Sequence, residues 1–397
     1  MSSKFIGHYP LASTTWDNDE ILAIDRVVKS QMFTMGKEVE NFEKKFAKFF
    51  NSKFALMVNS GSSANLIAIA ALFYTKIPKL KKGDEVIVPA VSWPTTYYPL
   101  QQYGLKIKFV DINLETLNMD LNQLEKAISP KTKLIFSVNL LGNPNEFSEI
   151  QKLAIKYNLL VIEDNCESMG ATYKGKYAGA IGLMGTFSSF FSHHISTMEG
   201  GMLITDDEEL YHVMLCLRAH GWTRNLPTVN LVTGEKSPNM FEESFKFVLP
   251  GYNFRPLEMS GAIGQEQLKK LPAFLEQRRK NAKLFQSIFN DHPFIAIQRE
   301  VEQSSWFAFS LIIKEHVAKS RSDFANFLTS KKIECRPIVA GNFAKNSVLK
   351  YFDYEISGDL NNANIIDQRG IFVGNHHFNM EQHIVYLKEC VDEFFGN

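Results

Sequence analysis

Ile21, Leu22, Ile24, Val27 and Val28 recur at helical spacing behind the polar run Asp17-Asn18-Asp19-Glu20, and Phe42, Phe46 and Phe49 repeat that spacing within residues 39–50. The chain therefore opens with two amphipathic helices. The pattern then changes: Phe54-Ala55-Leu56-Met57-Val58 is a short apolar run, followed by the small polar turn Asn59-Ser60-Gly61-Ser62-Ser63-Ala64-Asn65 and an apolar helix to Phe73. Residues 85–88, 106–110, 134–138 and 159–162 are further short runs rich in β-branched residues, separated by helical stretches such as 121–128 and 146–157. That alternation predicts a mainly parallel sheet covered by helices. Ligands of such sheets bind beyond the carboxyl ends of the strands, so the loops there are where chemistry is expected.

Further on, residues 222–250 become polar and irregular, with Pro227, Thr233-Gly234-Glu235-Lys236 and Pro238 marking loops, an excursion close to the expected site. A long helical segment runs from Pro256 through Arg278, and shorter elements such as the run 307–313 follow it. We place a boundary near 255, giving a large domain over 1–255 and a smaller α+β domain over 256–397. The 397 residues suffice for two such units.

Charge adds an exclusion. Lys+Arg and Asp+Glu are both 43, so the overall balance attracts neither nucleic acid nor an anionic membrane. The longest purely apolar run, residues 66–74, is far short of the ~18 residues of a membrane span. Met1-Ser2-Ser3-Lys4-Phe5-Ile6-Gly7-His8 lacks the apolar core of a signal peptide, so a cytoplasmic location is expected. The four cysteines, 166, 216, 335 and 390, lie 50, 119 and 55 residues apart, neither a disulfide framework nor the clustered spacing of an iron-sulfur motif.

Candidate chemistry sits at the strand ends. Ser60-Gly61-Ser62-Ser63-Ala64 offers a glycine, hydroxyls and free amides at a helix N-terminus: a phosphate cradle or an N-capped helix. Glu163, Asp164 and Glu167 follow the strand 159–162, where a carboxylate can hold a protonated ring nitrogen; Asp164 as a helix cap is the plainer alternative. Trp93, just past another strand end, is suited to stacking on a flat ring or to packing in the core. Between Ser188-Ser189-Phe190-Phe191-Ser192 and Met198-Glu199-Gly200-Gly201 stand two adjacent histidines, His193 and His194. Histidine moves protons near neutral pH. Adjacent residues rarely ligate one ion and no third ligand stands at a recognisable spacing, which leaves proton transfer or a structural role.

In order, Gly-Ser-Ser-Ala-Asn-Leu, Val-Pro-Ala-x-x-Trp, Glu-Asp-Asn-Cys-Glu, Ser-Phe-Phe-Ser-His-His, Glu-Gly-Gly, Arg218-Ala219-His220-Gly221 and Gly251-Tyr252-Asn253-Phe254-Arg255 resemble the DegT/DnrJ type sugar aminotransferases dependent on pyridoxal phosphate. The resemblance implies the aspartate aminotransferase type fold: a large domain with a seven-stranded, mostly parallel sheet, a smaller C-terminal domain, and a homodimer whose sites draw on both subunits. It implies cofactor phosphate on Gly61, Ser62 and Ser188, with Asn253 reaching in from the neighbouring subunit. Asp164 would pair with the pyridine nitrogen, Trp93 would stack on the ring, and Glu167 would lie beside it.

One departure changes the expected reaction. Counting back from Glu-Gly-Gly, the family's anchoring lysine falls on His193. With Trp16-Asp17 and His220-Gly221-Trp222-Thr223-Arg224-Asn225, this resembles a branch that dehydrates sugars instead of aminating them. The resemblance implies non-covalent pyridoxal and pyridoxamine phosphate, L-glutamate as amino donor, and loss of the C3 hydroxyl from a nucleotide-linked 4-keto-6-deoxy sugar. His193 would be the acid and base, His220 a second participant, and Arg224 a contact to the nucleotide sugar; an iron-sulfur cluster, which some relatives need, is not expected. A GDP-linked hexose and a heptose both remain open. Rival readings are an aminotransferase with a recruited lysine and a non-catalytic binding protein on the same fold.

Overall fold

The computed structural model describes residues 7–396; Met1 to Ile6, part of the stretch read above for a signal peptide, lie outside the described residues. The first helix, α1 (Asn18–Ser30), begins at Asp17, whose side chain accepts from Asp19 N–H while Glu20 reaches back to the Asp17 backbone, a reciprocal cap. The second, α2 (Lys37–Phe49), has no side-chain cap of its own. Glu258, from far along the chain, supplies one by accepting from the N–H groups of Gly36 and Glu38 at 2.6 Å and of Val39 at 3.3 Å.

After β1 (Phe54–Val58) and α3 (Gly61–Ala71) come β2 (Glu85–Pro89), α4 (Pro94–Gln102), β3 (Lys106–Val110), α5 (Leu121–Ala127), β4 (Thr132–Val138), α6 (Phe147–Tyr157) and β5 (Leu160–Asp164). Strands Met184–Ser188 and Gly201–Thr205 complete the seven that the resemblance implies. Of these, only Gly201–Thr205 runs against its neighbours, pairing antiparallel with β1 and with Met184–Ser188. An eighth strand, Tyr354–Ile356, comes from the C-terminal part of the chain and pairs parallel with β3. A separate four-stranded antiparallel sheet is built from Ile295–Ala296, Ala308–Ile313, Gly370–Gly374 and Cys335–Pro337.

Successive side chains of a strand face opposite sides, and the core follows. Leu56 and Val58 of β1 join the apolar layer with Ile67 and Leu203, whereas Ala55 and Met57 join Phe42, Phe46, Phe187 and Met202 on the other face. The long helix runs Glu258–Phe289, past the Arg278 reached by the periodicity, with Ala282, Phe285 and Phe289 buried against the small sheet. Residues 222–250 form an irregular excursion carrying a two-residue hairpin and the single turn Met240–Glu243. Among the described residues no helix is long and apolar enough to cross a membrane.

Candidate active site

The carboxyl ends of the parallel strands open into a cavity of about 570 Å³, lined by the turn after β1, the segment before α4, the end of β5, the histidine turn and residues of the small sheet. Each wall has a local cause. Ser60 caps α3 by accepting from Ser63 N–H at 3.1 Å, leaving Gly61 and Ser62 at the first turn on the cavity wall. Gly61 has to be glycine, because a Cβ there would come within 2.8 Å of Ser188 Cβ and 3.0 Å of Cys166 Sγ. The turn is an N-cap and also part of the cavity wall: Ser60 caps α3, while Gly61, Ser62 and Ser188 face the cavity.

Two neighbouring carboxylates at the end of β5 divide by strand parity. Glu163 is fully buried and accepts from Gly179, Ile181 and Gly182 N–H at 2.6–2.7 Å, a structural cap on a loop. Asp164 lines the cavity, and no helix follows it to be capped. One of its oxygens accepts from Asn65 Nδ2 at 2.8 Å and Thr96 Oγ1 at 2.7 Å; the other accepts from Cys166 N–H at 3.2 Å. Thr186 Oγ1 donates to Asn65 Oδ1 at 2.6 Å, which fixes the amide so that its N–H₂ faces Asp164. Trp93 is 58% exposed at the start of α4, on the cavity wall and not in the core.

Residues 189–200 form a closed loop: Ser189 N–H donates to Gly200 O at 3.0 Å, Thr197 N–H to Ser189 O at 2.9 Å, and His193 N–H to Phe190 O at 2.9 Å. Trp16 Nε1 donates to Ser196 O at 2.9 Å, and Ser196 N–H donates to Gln267 Oε1 at 3.0 Å. The glycines that follow allow close approach, since a Cβ on Gly201 would stand 2.2 Å from Ser60 O. The histidine turn and the Gly61 turn are therefore packed backbone to backbone. His193 lines the cavity; its ring lies 5.1 Å from that of Phe307, and its Nδ1 is buried without a hydrogen-bond partner. Burial, with the nearby Arg278 charge, lowers its pKa to about 4, so the imidazole is neutral at pH 7 and able to accept a proton.

Glu167 shares the cavity and accepts from Leu141 N–H at 3.0 Å. Burial, opposed by that hydrogen bond and helped by the Asp164 charge, raises its pKa to about 7. The two groups bias acid stability in opposite directions. Stability from a neutral His193 is present above its unfolded pKa of ~6.5 and is lost as pH falls toward 4; stability from protonated Glu167 is present below ~4.3 and is lost as pH rises through 7. Glu167→Gln should therefore raise the melting temperature of cofactor-free protein more at pH 8.5 than at pH 5.5, a difference on the order of 1 kcal/mol by thermal unfolding.

Three predicted residues lie away from this cavity. His220, with a left-handed φ of 60°, donates its N–H to Tyr252 O at 2.6 Å and sets its ring 5.1 Å from Trp222. Asn253 is exposed and accepts from Arg255 Nε at 3.0 Å. Tyr252 N–H donates to Leu217 O at 2.7 Å and Phe254 N–H to Arg218 O at 2.9 Å, so the Arg-Ala-His-Gly and Gly-Tyr-Asn-Phe-Arg motifs form one corner of the molecule. Arg224 is exposed, its guanidinium 5.6 Å from the Trp222 ring.

Other cavity residues escaped sequence reasoning. Asn65 and Cys166 stand inside the motifs and Thr95 two positions beyond one, but nothing local distinguishes them; nor is there a signal for Thr96, which is buried behind the wall and holds Asp164 together with Asn65. Phe307, the first residue of the run 307–313, and Arg336 arrive from the C-terminal part of the chain, and no short-range pattern marks either as a cavity residue. All four cysteines are free; burial raises the Cys166 thiol well above its ordinary pKa, so it stays neutral. Among the described residues no three His, Cys, Asp or Glu side chains are grouped to hold a metal.

Comparison with known proteins places this geometry. The chain is 62% identical over 385 residues to the GDP-4-keto-6-deoxy-D-mannose 3-dehydratase of Yersinia pseudotuberculosis, covering 97% of this chain and 98% of that one. The Escherichia coli enzyme of that name with bound hydrated PLP superposes with a TM-score of 0.95 at 62% identity, covering 96% of this chain and 98% of the other. A histidine-to-asparagine variant of GDP-4-keto-6-deoxymannose-3-dehydratase with bound GDP-perosamine gives a TM-score of 0.96 at 61% identity, over 96% and 100% of the two chains. A structure of an enzyme of the same name with a trapped PLP-glutamate geminal diamine gives 0.95 at 61% identity, over 96% and 99%. The family model of the DegT/DnrJ/EryC1/StrS aminotransferases matches residues 14–390, and the chain belongs to that family.

Proposed function

We propose that this protein removes the C3 hydroxyl of a nucleotide-linked 4-keto-6-deoxy sugar, GDP-4-keto-6-deoxy-D-mannose being the substrate named for its 62% identical relatives. The observation that carries the reading is the composition of the cavity wall. His193 stands beside the Gly61 turn, Asp164 and Trp93, and no lysine is among the described residues that line the cavity. A recruited lysine, which an aminotransferase would need, has no place on that wall.

The residues fit pyridoxal phosphate held without a covalent bond. A cradle that a single Cβ would fill, with amides at a helix start and the Ser62 and Ser188 hydroxyls, suits a phosphate. Asp164, fixed by Asn65 and Thr96, suits a protonated pyridine nitrogen, and the exposed face of Trp93 suits the flat ring. In its pyridoxamine form the cofactor supplies an amine for the C4 ketone of the sugar and a ring that accepts electrons. Asp164 keeps the ring nitrogen protonated. His193, neutral before the reaction, takes a proton from carbon and then, as imidazolium, gives it to the departing C3 hydroxyl. Imidazole forms no imine with a carbonyl and so cannot take the place of a lysine amine in amino transfer. The released sugar enamine tautomerises and hydrolyses to a 3-deoxy-4-keto sugar and ammonia. L-Glutamate restores the amine form and leaves as 2-oxoglutarate.

The reading includes a homodimer with a shared site. Ile21, Leu22, Met32, Phe33 and Leu257 are apolar side chains at least half exposed, and the segment of Phe33 lies against that of Leu257 through the Thr34–Leu257 bridge and the bond from Glu258 N–H to Phe33 O. Apolar side chains grouped in this way suit an interface. His220 and Asn253 share a corner off the cavity, which suits service to a neighbouring copy. Borohydride reduction of the protein with bound pyridoxal phosphate should label no lysine; a labelled lysine peptide would overturn the proposal.

A further inference from the structure

We propose that His194, the second histidine of the turn, is a positioning residue: it ties the catalytic turn to residues 304–307 and, through Phe307, holds the His193 ring in place. His194 is fully buried, and its Nε2 donates to Ser305 O at 3.2 Å. Its Nδ1 has no hydrogen-bond partner, so its polar tie runs through Nε2. Its ring and that of His193 both pack on Phe307, with centroids 5.7 and 5.1 Å away.

The segment it grips is itself fixed on every side. Ser305 N–H donates to Gly142 O at 2.9 Å and Phe307 N–H to Leu141 O at 3.1 Å. Arg278, buried in the long helix, donates to Phe307 O at 3.1 Å and to Asn375 O at 2.6 Å. Trp306 adopts a left-handed φ of 49°, and a Cβ on Gly142 would lie 2.5 Å from Trp306 N, so this crossing is built for close backbone contact. Leu141, the residue gripped by Phe307, is also the one whose N–H holds Glu167. One segment of the C-terminal part of the chain thus touches the supports of both cavity groups. An unrestrained imidazole samples several rotamers, and a misplacement of about 1 Å costs a proton transfer up to ~100-fold. Burial holds His194 well below the ordinary histidine pKa, so it is a neutral donor at pH 7.

This inference rests on His193 as the base, and the experiment separates the two. His194→Leu fills the space without a donor, His194→Gln restores an N–H near Nε2, and Phe307→Leu loosens the ring support at a half-buried position. In the holoenzyme with nucleotide sugar and glutamate, His194→Leu should lower kcat ~30-fold or more, with sugar KM and pyridoxal phosphate affinity changed by less than ~3-fold. His194→Gln should recover kcat to within about 5-fold of the parent, a rescue that a volume effect alone would not give. Should His194→Leu not fold, Phe307→Leu carries the test, with kcat down ~10-fold; KM is not a readout for this variant, because Phe307 also lines the cavity. A folded His194→Leu or Phe307→Leu protein with kcat within about twofold of the parent, or equal losses in the Leu and Gln variants at 194, would overturn the inference. His193→Asn measured alongside fails independently: activity there removes the base itself.

Discussion

His193→Asn gives a folded protein that still binds pyridoxal phosphate and loses dehydration by about 1,000-fold or more. Asparagine fits the space of the imidazole, and the backbone bond from residue 193 to Phe190 O is unaffected by the change. Because His193 Nδ1 has no partner, no hydrogen bond on that side of the ring is lost. What disappears is a neutral base whose pKa of about 4 leaves it unprotonated at pH 7. An amide accepts no proton in that range, and no other described histidine lines the cavity to replace it. Absorbance titration measures cofactor binding, and single-turnover assays measure the sugar step. Dehydration within tenfold of the parent would remove His193 from the mechanism.

Asp164→Asn is expected to have the next largest effect, a fall in kcat of about 100-fold with weaker cofactor binding. Asn65 Nδ2 and Thr96 Oγ1 both donate to one oxygen of Asp164, so an asparagine must turn its carbonyl toward them to avoid opposed donors. Its N–H₂ then meets the second position, where the carboxylate oxygen accepts from Cys166 N–H. A neutral donor there favours an unprotonated ring nitrogen, the wrong state for accepting electrons. Rates with a cofactor analogue lacking the ring nitrogen should be alike in parent and variant; a large difference with that analogue would place the role of Asp164 elsewhere.

Much of this site was legible in the sequence because its parts are local. The Gly61 turn, Asp164 and the histidine turn each directly follow or precede a short apolar strand, and strand periodicity places them at one edge of the sheet. Parity also separates Glu163 from Asp164 once the strand is fixed. For Trp93 the sequence leaves stacking and core packing open; Pro94 starts a helix immediately after it and leaves the ring outside the core. Phe307 and Arg336 were illegible for a different reason. They come to the cavity through the fold, more than 100 positions from the histidine turn, with no periodicity to mark them. The strand Tyr354–Ile356 has an exposed, three-residue pattern that no alternation signal can distinguish from a loop, yet pairing with β3 makes it the sheet edge. His194 stood out only as a neighbour of His193, and its fixed contact to Ser305 appears only in three dimensions.

In the proposed reaction, imidazole in the position of the lysine directs the chemistry to elimination. The mass of the product formed from GDP-4-keto-6-deoxy-D-mannose with the protein, pyridoxal phosphate and L-glutamate tests this. A sugar that has lost its C3 oxygen and gained no nitrogen, formed with equal amounts of 2-oxoglutarate and ammonia, is the predicted result. A 4-amino sugar that keeps the C3 oxygen would contradict it.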